Sequence, residues 1–353
     1  MKKRIVSVVL TVAIISIVTA CGNSSQTETA VDPGQSENAE TSEEKPAASD
    51  SGYPTMTIQV GTTTTAESPY VKGLEVLAEQ LSQKTDGAIT LEIFSDGQLG
   101  GEVDLIEGVS MGTVDMCVTS SSPVANYVTD FFTFDLPFLI TDLDKAHDVM
   151  DGELGRSLLD QLGDTGIYGL ALWDNGFRNL TNSNIPVHTL ADVSGMKIRV
   201  MENEVHQALW TALGAYPTPM AWGEVITALE QGTIDVEENP LNAIYSSGVY
   251  EVQKYITKTN HVYTAGVCMI NQDLWNSFSD EVKEVFRESM EYATDWEREH
   301  VAEAEEEVAE LLTEAGCEIN DVDNIEEWSD AVSGLYETYA DKVNQELVEA
   351  LRN

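Results

Sequence analysis

Hydrophobic and polar positions follow two different periods along the first half of the chain. Apolar residues at every second position predict strands over 56–60, 89–94 and 114–118. Between these strands, apolar residues recur every three to four positions over 69–85 and 101–111, which is typical of amphipathic helices. Strands that alternate with helices indicate a mainly parallel α/β sheet.

A related pattern returns in the second half of the chain and predicts a second lobe. A strand ends at Val200, and Asn203 can cap a helix over 204–213. A helix over 222–231 and a strand near Ile234 are predicted to follow. A chain of 353 residues is long enough for two such lobes.

The last part of the chain is predicted to be mostly helical. From Asn271 to Ala315 there is neither proline nor glycine, and the apolar residues form a helical stripe. We expect one long helix, or two joined at a bend, long enough to run along both lobes. A final helix is predicted over 324–351. The predicted division is 54–175 plus about 265–304 for lobe I, and 176–264 plus about 305–353 for lobe II.

The beginning of the chain has the features of an export signal followed by a tether. Residues 1–20 combine a positively charged start with an apolar run over 5–18 that is too short to span a bilayer. Val18-Thr19-Ala20-Cys21 resembles a lipobox, in which Cys21 is the lipidated residue. An ordinary secretory peptide with a chance cysteine is the alternative. Residues 21–53 have the composition of a disordered tether.

The charge balance narrows the range of partners. The chain has 18 Lys+Arg against 61 Asp+Glu, a formal net charge of -43. Nucleic acids and anionic membrane surfaces select basic patches, so nucleic acid is not an expected partner. If the ligand is an anion, it must be captured by local cations in a closed site. Arg178 and Arg199, which lie among apolar and turn residues, are the candidates.

Arg199 has the most informative surroundings of the two. The period of the strand places Ile198 and Val200 on one face and Arg199 on the other. An arginine at the end of a buried strand is costly unless it has an anionic partner, and we expect that partner to be the ligand. Arg178 could instead be a structural arginine paired with Asp174.

Motifs for catalysis are weak in this chain. Gly108-Val109-Ser110-Met111-Gly112 matches the Gly-x-Ser-x-Gly pattern of serine hydrolases, but that motif needs a strand before the serine and a helix after it. The predicted order here is the reverse. There is no P-loop and no Gly-x-Gly-x-x-Gly fingerprint. Cys117 and Cys268 lie in short apolar runs, where core packing is expected. We therefore expect no catalytic activity, no metal and no cofactor.

The chain resembles the substrate-binding proteins of TRAP transporters, the DctP family. The resemblance covers nearly all of the chain after the tether, and it rests on several short blocks in a fixed order. The blocks are Gln98–Glu102, Asp135–Leu139, Gly176–Arg178, Gly195–Val200, Pro217–Met220 and Glu238–Pro240.

The resemblance implies an α/β, two-lobed periplasmic binding protein fold that closes around a small organic acid. A sugar acid or a C4-dicarboxylate is the expected ligand. It also implies a monomer at the extracytoplasmic face of the membrane, which delivers its cargo to TRAP permease subunits driven by an ion gradient. A hydrolase that uses Ser110, or a ligand sensor for a membrane receptor, is the alternative.

The resemblance also implies roles for individual residues. Arg199 would pair with the ligand carboxylate, Arg178 and Asn239 would assist, and Trp222 would line the pocket. A guanidinium fork suits a carboxylate in a bidentate pair, and an amide suits a hydroxyl or a second carboxylate oxygen. Asn239 could instead be only a turn residue ahead of Pro240.

The other candidate ligand contacts rest on less sequence evidence. Trp173 could cover an apolar or sugar face, or belong to the core. In the first lobe the candidates are Thr63, Ser68, Glu102 and Ser120.

Two residues depart from the family pattern. Val236 stands where glycine is usual and tolerates a positive φ poorly. Glu237 stands where glutamine is common, and it adds a negative charge near the proposed anion site unless it points away.

Overall fold

A computed structural model gives the structure of the protein over residues 52–352, in which eleven strands form two sheets. The predicted export signal, Cys21 and most of the predicted tether lie outside these residues. In chain order the strands are β1 Met56–Gly61, β2 Ile89–Phe94, β3 Met116–Ser120, β4 Ile167–Phe177, β5 Asn179–Asn182, β6 Lys197–Val200, β7 Tyr216–Pro219, β8 Val236–Asn239, β9 Tyr255–Lys258, β10 Tyr263–Asn271 and β11 Glu318–Asp321.

The two sheets are mixed rather than mainly parallel, which corrects the prediction. The first sheet has the order β2-β1-β3-β10-β4 and the second β11-β9-β5-β8-β6-β7. β1 is parallel to β2 and β3, but β10 is antiparallel to β3 and β4. β5 is likewise antiparallel to β8 and β9. The antiparallel pairs arise where the chain passes from one sheet to the other, between β4 and β5 and between β9 and β10.

Fifteen α-helices in the described residues pack around these sheets. They are α1 Pro69–Lys84, α2 Glu102–Met111, α3 Ser121–Val124, α4 Phe132–Asp135, α5 Leu143–Asp151, α6 Glu153–Asp160, α7 Leu190–Val193, α8 Glu204–Ala212, α9 Val225–Glu230, α10 Leu241–Ser246, α11 Gln272–Ser277, α12 Asp280–Glu314, α13 Ile325–Val332, α14 Leu335–Thr338 and α15 Gln345–Leu351. None of the helices within residues 52–352 has both the length and the apolar composition needed to cross a bilayer.

Two strands begin later than predicted for the same local reason. Gly112 ends α2 with a left-handed φ of 73°, and the amides of Thr113 and Val114 still donate back to the Gly108 carbonyl. In the second sheet Thr233 and Ile234 donate in the same way to the Ala228 carbonyl. These amides close the helix end, so each strand starts two residues after the first apolar position, at Met116 and at Val236.

The long helix is confirmed as one element of 35 residues. Ser279 caps it by accepting a hydrogen bond from the Val282 amide. α12 contacts α1 and β4 of the first sheet and α10 and β11 of the second. The predicted final helix is wrong, because three shorter helices replace it. Asn344 starts the last of them by capping the Leu347 amide.

Apolar side chains of α1 and α12 form the core of the first sheet. Leu74, Leu77, Leu81 and Phe286 are fully buried there, together with Trp173 of β4. The close approach of α1 to this indole requires Gly73, because a Cβ at that position would lie 2.8 Å from the ring. Cys117 and Cys268 are buried free thiols, as the apolar runs predict.

Candidate functional site

A cleft with a volume of about 60 Å³ lies between loops and strand ends of the two sheets. On the side of the first sheet its lining residues are Thr63, Thr64, Thr65, Ser68, Pro69, Tyr70, Glu102, Ser120, Asp174 and Asn175. On the side of the second sheet they are Arg178, Arg199, Met201, Trp222, Asn239, Asn242, Ala243, Ser246 and Ser247. Eight of the nine residues predicted to contact the ligand are therefore brought together, and Trp173 is not.

Strand ends position the polar groups of the cleft. Ser120 ends β3, Asn239 ends β8, and Arg199 lies one residue before the end of β6. Because β6 and β8 are parallel, their carboxyl ends meet at the same edge of the sheet. Arg178 lies between β4 and β5, where the chain crosses from the first sheet to the second. The cleft is thus built from segments that are distant in sequence.

Arg199 is buried and has no acidic partner among the described residues. Its side chain is only slightly exposed, and no carboxylate of residues 52–352 lies within 4.0 Å of its guanidinium. Nε donates to the Met220 carbonyl oxygen at 2.9 Å, which fixes the guanidinium, and the two terminal nitrogens of this cleft-lining side chain make no hydrogen bond to a described residue. Burial and the neighbouring Arg178 lower the pKa of Arg199 below its ordinary value, although the carboxylates of Glu238, Glu237 and Glu102 oppose the shift.

Trp222 covers one face of this guanidinium. The Arg199 Cζ atom lies 5.4 Å from the centre of the indole, within the range of a cation–π contact. Trp222 is half-buried and packs against the core of the second sheet as well as lining the cleft. The contact stabilises the cation without neutralising it.

Arg178, in contrast, is fully neutralised by a buried glutamate. Its Nε and Nη2 donate to the carboxylate of Glu238, with Nη2 3.0 Å from Oε1, and both side chains are fully buried. Burial works against the charge on Arg178, but Glu238, together with Glu237 and Glu102, raises the pKa of the arginine above its ordinary value. Arg178 therefore belongs to a structural ion pair, as the alternative prediction stated, but its partner is Glu238 and not Asp174.

The Glu238 carboxylate belongs to a larger buried network. His261 Nε2 lies 3.0 Å from Oε2. His206 Nδ1 lies 3.9 Å from Oε1, too far for a hydrogen bond, and its Nε2 is 3.0 Å from Asp135 Oδ1. Burial alone would raise the pKa of Glu238, but Arg178 and His261 hold it well below its ordinary value. This network occupies most of the hydrogen-bonding capacity of Arg178, of which only Nη1 has no partner among the described residues.

Glu237 does not line the cleft but acts on a residue that does. Its side chain is fully buried, and its Oε2 accepts a hydrogen bond of 2.7 Å from Asn239 Nδ2. Burial raises the pKa of Glu237 to about 7. The doubt about Val236 is removed, because this residue lies in regular strand β8 without a positive φ.

On the first-sheet side of the cleft, two residues predicted to contact the ligand, Glu102 and Ser120, form hydrogen bonds with each other. Glu102 accepts hydrogen bonds from the backbone amide and the hydroxyl of Ser120, at 2.6 and 2.9 Å. Burial raises the pKa of Glu102, although these two hydrogen bonds oppose the shift. Ser68 caps α1 through the Val71 amide and also contacts Thr64 Oγ1 at 2.7 Å. Thr63 lines the cleft beside them.

Trp173 is corrected from a ligand contact to a core residue. Its indole is fully buried against Tyr70, and Nε1 donates to Thr294 Oγ1 of α12 at 2.8 Å. Its neighbour Asp174 lines the cleft instead, because successive residues of a strand point to opposite faces. Asp174 is held by Tyr263 and by His147 Nε2, at 2.9 Å, which explains why it is not available to Arg178.

Several lining residues were missed in the sequence. Asn242, Ser246 and Ser247 come from α10 and the residue after it. They could have been proposed from their position, because α10 begins directly after the predicted block Glu238–Pro240. Met201 and Tyr70 carry no comparable signal, since each is a single residue in an apolar context.

Ser110 has a structural explanation. It lies near the end of α2, and its hydroxyl donates to the Thr165 carbonyl oxygen at 2.6 Å. A helix precedes it and strand β3 follows, which is the reverse of the order that a nucleophile elbow needs.

Comparison with known proteins agrees with this geometry. Residues 60–342 match the family described as bacterial extracellular solute-binding protein, family 7, DctP. The chain is 37% identical over 253 residues to the 2,3-diketo-L-gulonate-binding periplasmic protein YiaO of Escherichia coli, covering 71% of this chain and 77% of that protein. It is 31% identical over 290 residues to the C4-dicarboxylate-binding periplasmic protein DctP of Rhodobacter capsulatus, covering 81% and 87%.

A solved structure extends the similarity to the fold. A TRAP periplasmic solute-binding protein from a Polaromonas species, bound to D-erythronate, has a TM-score of 0.81 and 35% sequence identity, and the match covers 84% of this chain and 97% of that chain. The two-lobed α/β fold with a long helix is thereby confirmed. These relatives are solute-binding proteins, so the protein is extracytoplasmic and is not an enzyme. The chain belongs to the DctP family of bacterial extracellular solute-binding proteins.

Proposed function

We propose that this protein captures a small organic acid in the cleft through a pair between the Arg199 guanidinium and the ligand carboxylate. The observation that carries the proposal is the buried charge of Arg199, which forms no direct ion pair with a described side chain, in a protein of formal net charge -43. A buried charge without a direct ion pair is strongly stabilised when a counter-ion binds beside it. Its terminal nitrogens make no hydrogen bond to a described residue, so a carboxylate in the cleft could accept both hydrogen bonds of the fork.

The remaining lining favours a small polar acid. Asn239 and Asn242 offer amide groups, and Ser246, Ser247 and Thr65 offer hydroxyls around the same cleft. Relatives are named for 2,3-diketo-L-gulonate and for C4-dicarboxylates, and one was solved with D-erythronate. A sugar acid or a C4-dicarboxylate is therefore the ligand class that we assign to this cleft.

Ligand capture would be coupled to closure of the two lobes. The chain crosses between the sheets after β4 and before β10, close to the predicted division. We assign lobe I to 54–175 with about 265–304, and lobe II to 176–264 with about 305–353. Contacts from both lobes to one ligand favour the closed state, which would dock on the TRAP permease subunits. The other ligand contacts would come from the remaining predicted residues, of which Arg178 has only Nη1 left for the ligand. These residues are Arg178, Asn239, Trp222, Glu102, Ser120, Thr63 and Ser68.

The protein would act as a lipid-anchored monomer. Residues 1–20 have the features of a lipoprotein signal, Cys21 is the proposed lipidated residue, and the segment up to residue 53 would hold the lobes away from the membrane. Mass spectrometry of the mature protein, with Cys21→Ala as the comparison, tests this part separately from ligand binding.

A thermal-shift and calorimetric titration tests the proposed clamp. D-erythronate, D-galactonate and succinate would be added to the wild-type protein, to Arg199→Met and to Arg287→Met. Arg287 is a half-exposed arginine of α12 that forms a surface pair with Glu284, so it controls for the loss of one charge. We expect at least one acid to stabilise the wild type and Arg287→Met, and Arg199→Met to lose about 2–5 kcal/mol of binding free energy. Stabilisation that persists in Arg199→Met would contradict the clamp.

A further inference from the structure

The amide of Asn239 has a fixed direction in this cleft. Nδ2 donates to Glu237 Oε2 at 2.7 Å, while Oδ1 accepts no hydrogen bond from any described residue. An ionised carboxylate can only accept hydrogen bonds, so the amino group of Asn239 must face Glu237. The carbonyl oxygen of the same amide then faces the cleft that Asn239 lines.

Glu237 has few other groups to satisfy its charge. Thr181 Oγ1 lies 3.5 Å from its Oε1, but the same hydroxyl lies nearer to the Glu237 carbonyl oxygen, at 3.1 Å, and to Gln253 Oε1, at 3.2 Å. A hydroxyl has one hydrogen to donate, so these acceptors compete for it. The amide of Asn239 is therefore the strongest hydrogen-bond donor to this buried carboxylate.

The direction of this amide decides which ligand groups can form a hydrogen bond with it. An exposed carbonyl oxygen pairs with a hydroxyl of the ligand, which can donate, but a carboxylate cannot donate and is repelled. The negative charge of Glu237 behind the amide adds to this discrimination. A ligand that leaves this carbonyl oxygen unpaired in the closed cleft also loses binding free energy.

We propose that Glu237 is a specificity-determining positioning residue, which orients Asn239 so that the cleft favours hydroxylated monocarboxylic acids over dicarboxylates. This inference rests on the proposed capture of an organic acid through Arg199. It narrows that function to the sugar-acid side of the two ligand classes.

The charge on Glu237 responds to pH because of its surroundings. Glu238 on the same strand opposes ionisation, whereas Arg199 of β6 and Arg178 between β4 and β5 favour it, and Asn239 donates to it directly. Thr181 of β5 and Gln253 are the neutral polar groups on the remaining side. Once protonated, the carboxyl group can itself donate to the amide oxygen, which allows Asn239 to present its amino group to the ligand. Discrimination against dicarboxylates should therefore increase as the pH rises through about 7.

Calorimetry with two four-carbon acids tests the proposal. Dissociation constants for D-erythronate and for succinate would be measured at pH 6 and pH 8 in the wild type, in Glu237→Gln and in Asn239→Ala. In the wild type we expect the ratio of the succinate constant to the erythronate constant to rise about tenfold between the two pH values. Both variants should show a ratio that changes little with pH and that is lower than the wild-type ratio at pH 8.

The possible results separate this inference from the proposed function. If the ratio changes with pH in Glu237→Gln or in Asn239→Ala as it does in the wild type, the orientation mechanism is overturned while the clamp stands. If the wild type prefers succinate at pH 8, the direction of the selectivity is overturned. If neither acid binds the wild type, although a panel of other acids does so through Arg199, the assigned ligand class is overturned. If no acid binds the wild type, both the proposed function and this inference are overturned.

Discussion

Two buried arginines lie in the same cleft, but their surroundings differ in one respect. Arg178 forms a pair with the fully buried Glu238, whereas Arg199 has a carbonyl oxygen and an indole as its neighbours. Both are removed from water, so the difference is not one of exposure. One arginine is part of the fold, and the other has capacity for an external anion. Residue type and burial alone would have given both the same role.

This difference has opposite consequences for the stability of the ligand-free protein. Removing one member of a buried ion pair leaves the other charge uncompensated, which is strongly destabilising. Removing a buried charge that forms no direct ion pair takes away a costly group and loses only the longer-range attraction of Glu238, Glu237 and Glu102. Substitution of Arg178 should therefore mainly lower the stability of the protein, and substitution of Arg199 should mainly lower its affinity for the ligand.

The largest expected effect is on folding. In the absence of ligand, Arg178→Met should lower the free energy of unfolding by about 3–5 kcal/mol, because Glu238 is left buried and unpaired. Arg199→Met should leave the free energy of unfolding unchanged or raise it. Urea denaturation followed by circular dichroism measures both. Equal destabilisation by the two substitutions would show that Arg199 has an internal counter-ion.

The second effect concerns the two adjacent glutamates that face these arginines. Glu237 has a pKa of about 7, above its value of 4.5 in the unfolded chain, so its contribution to stability is present below about pH 4.5 and is lost as the pH rises through 7. Between pH 5 and pH 8 the wild type should lose roughly 3 kcal/mol relative to Glu237→Gln. Denaturation curves across this range measure the difference.

Glu238 should show the opposite dependence. Its pKa is lowered in the folded protein, so its contribution is present above the unfolded pKa and is lost only as the solution becomes strongly acidic. Glu238→Gln should therefore weaken the protein at neutral pH and weaken it less near pH 3. If the contribution of Glu238 to stability also fell as the pH rises, Arg178 would not stabilise the ionised Glu238. That result would contradict the distinction between the two arginines.

The smallest effect is expected from the indole beside Arg199. Trp222→Leu should weaken the binding of the stabilising acid by about 1 kcal/mol, because it removes a partly desolvated cation–π contact and some pocket area. Trp222→Phe keeps an aromatic face and should lose less. Isothermal titration calorimetry resolves this difference. A loss as large as that of Arg199→Met would contradict the secondary role of the indole.

The elements that the sequence predicted correctly are those with a strong local signal. The strand Ile89–Phe94 and the helix α12 follow from periodicity and from the absence of helix breakers. Arg199 could be singled out because a cation on a buried strand requires an explanation. The start of β3 was misjudged because the amides after Gly112 close the preceding helix rather than pair with a strand.

What the sequence could not provide were the pairings between distant residues. Asp174 was the nearer acidic candidate in sequence for Arg178, but the antiparallel pairing of β5 with β8 brings Glu238 opposite Leu180 and close to the arginine. Trp173 and Asp174 are adjacent, yet only the contacts of β4 with α12 determine which of them faces the core. Such choices depend on tertiary packing, which no local pattern specifies.

The helix α12 has a consequence for how the protein can be dissected. Because this single helix packs on α1 and β4 at one end and on α10 and β11 at the other, it completes the core of both lobes. Neither lobe is therefore a self-sufficient fragment, and cutting the chain ahead of Asp280 would expose apolar surface on both at once. Heat should accordingly melt the whole structure in one cooperative transition, and a domain-by-domain expression strategy should yield insoluble material.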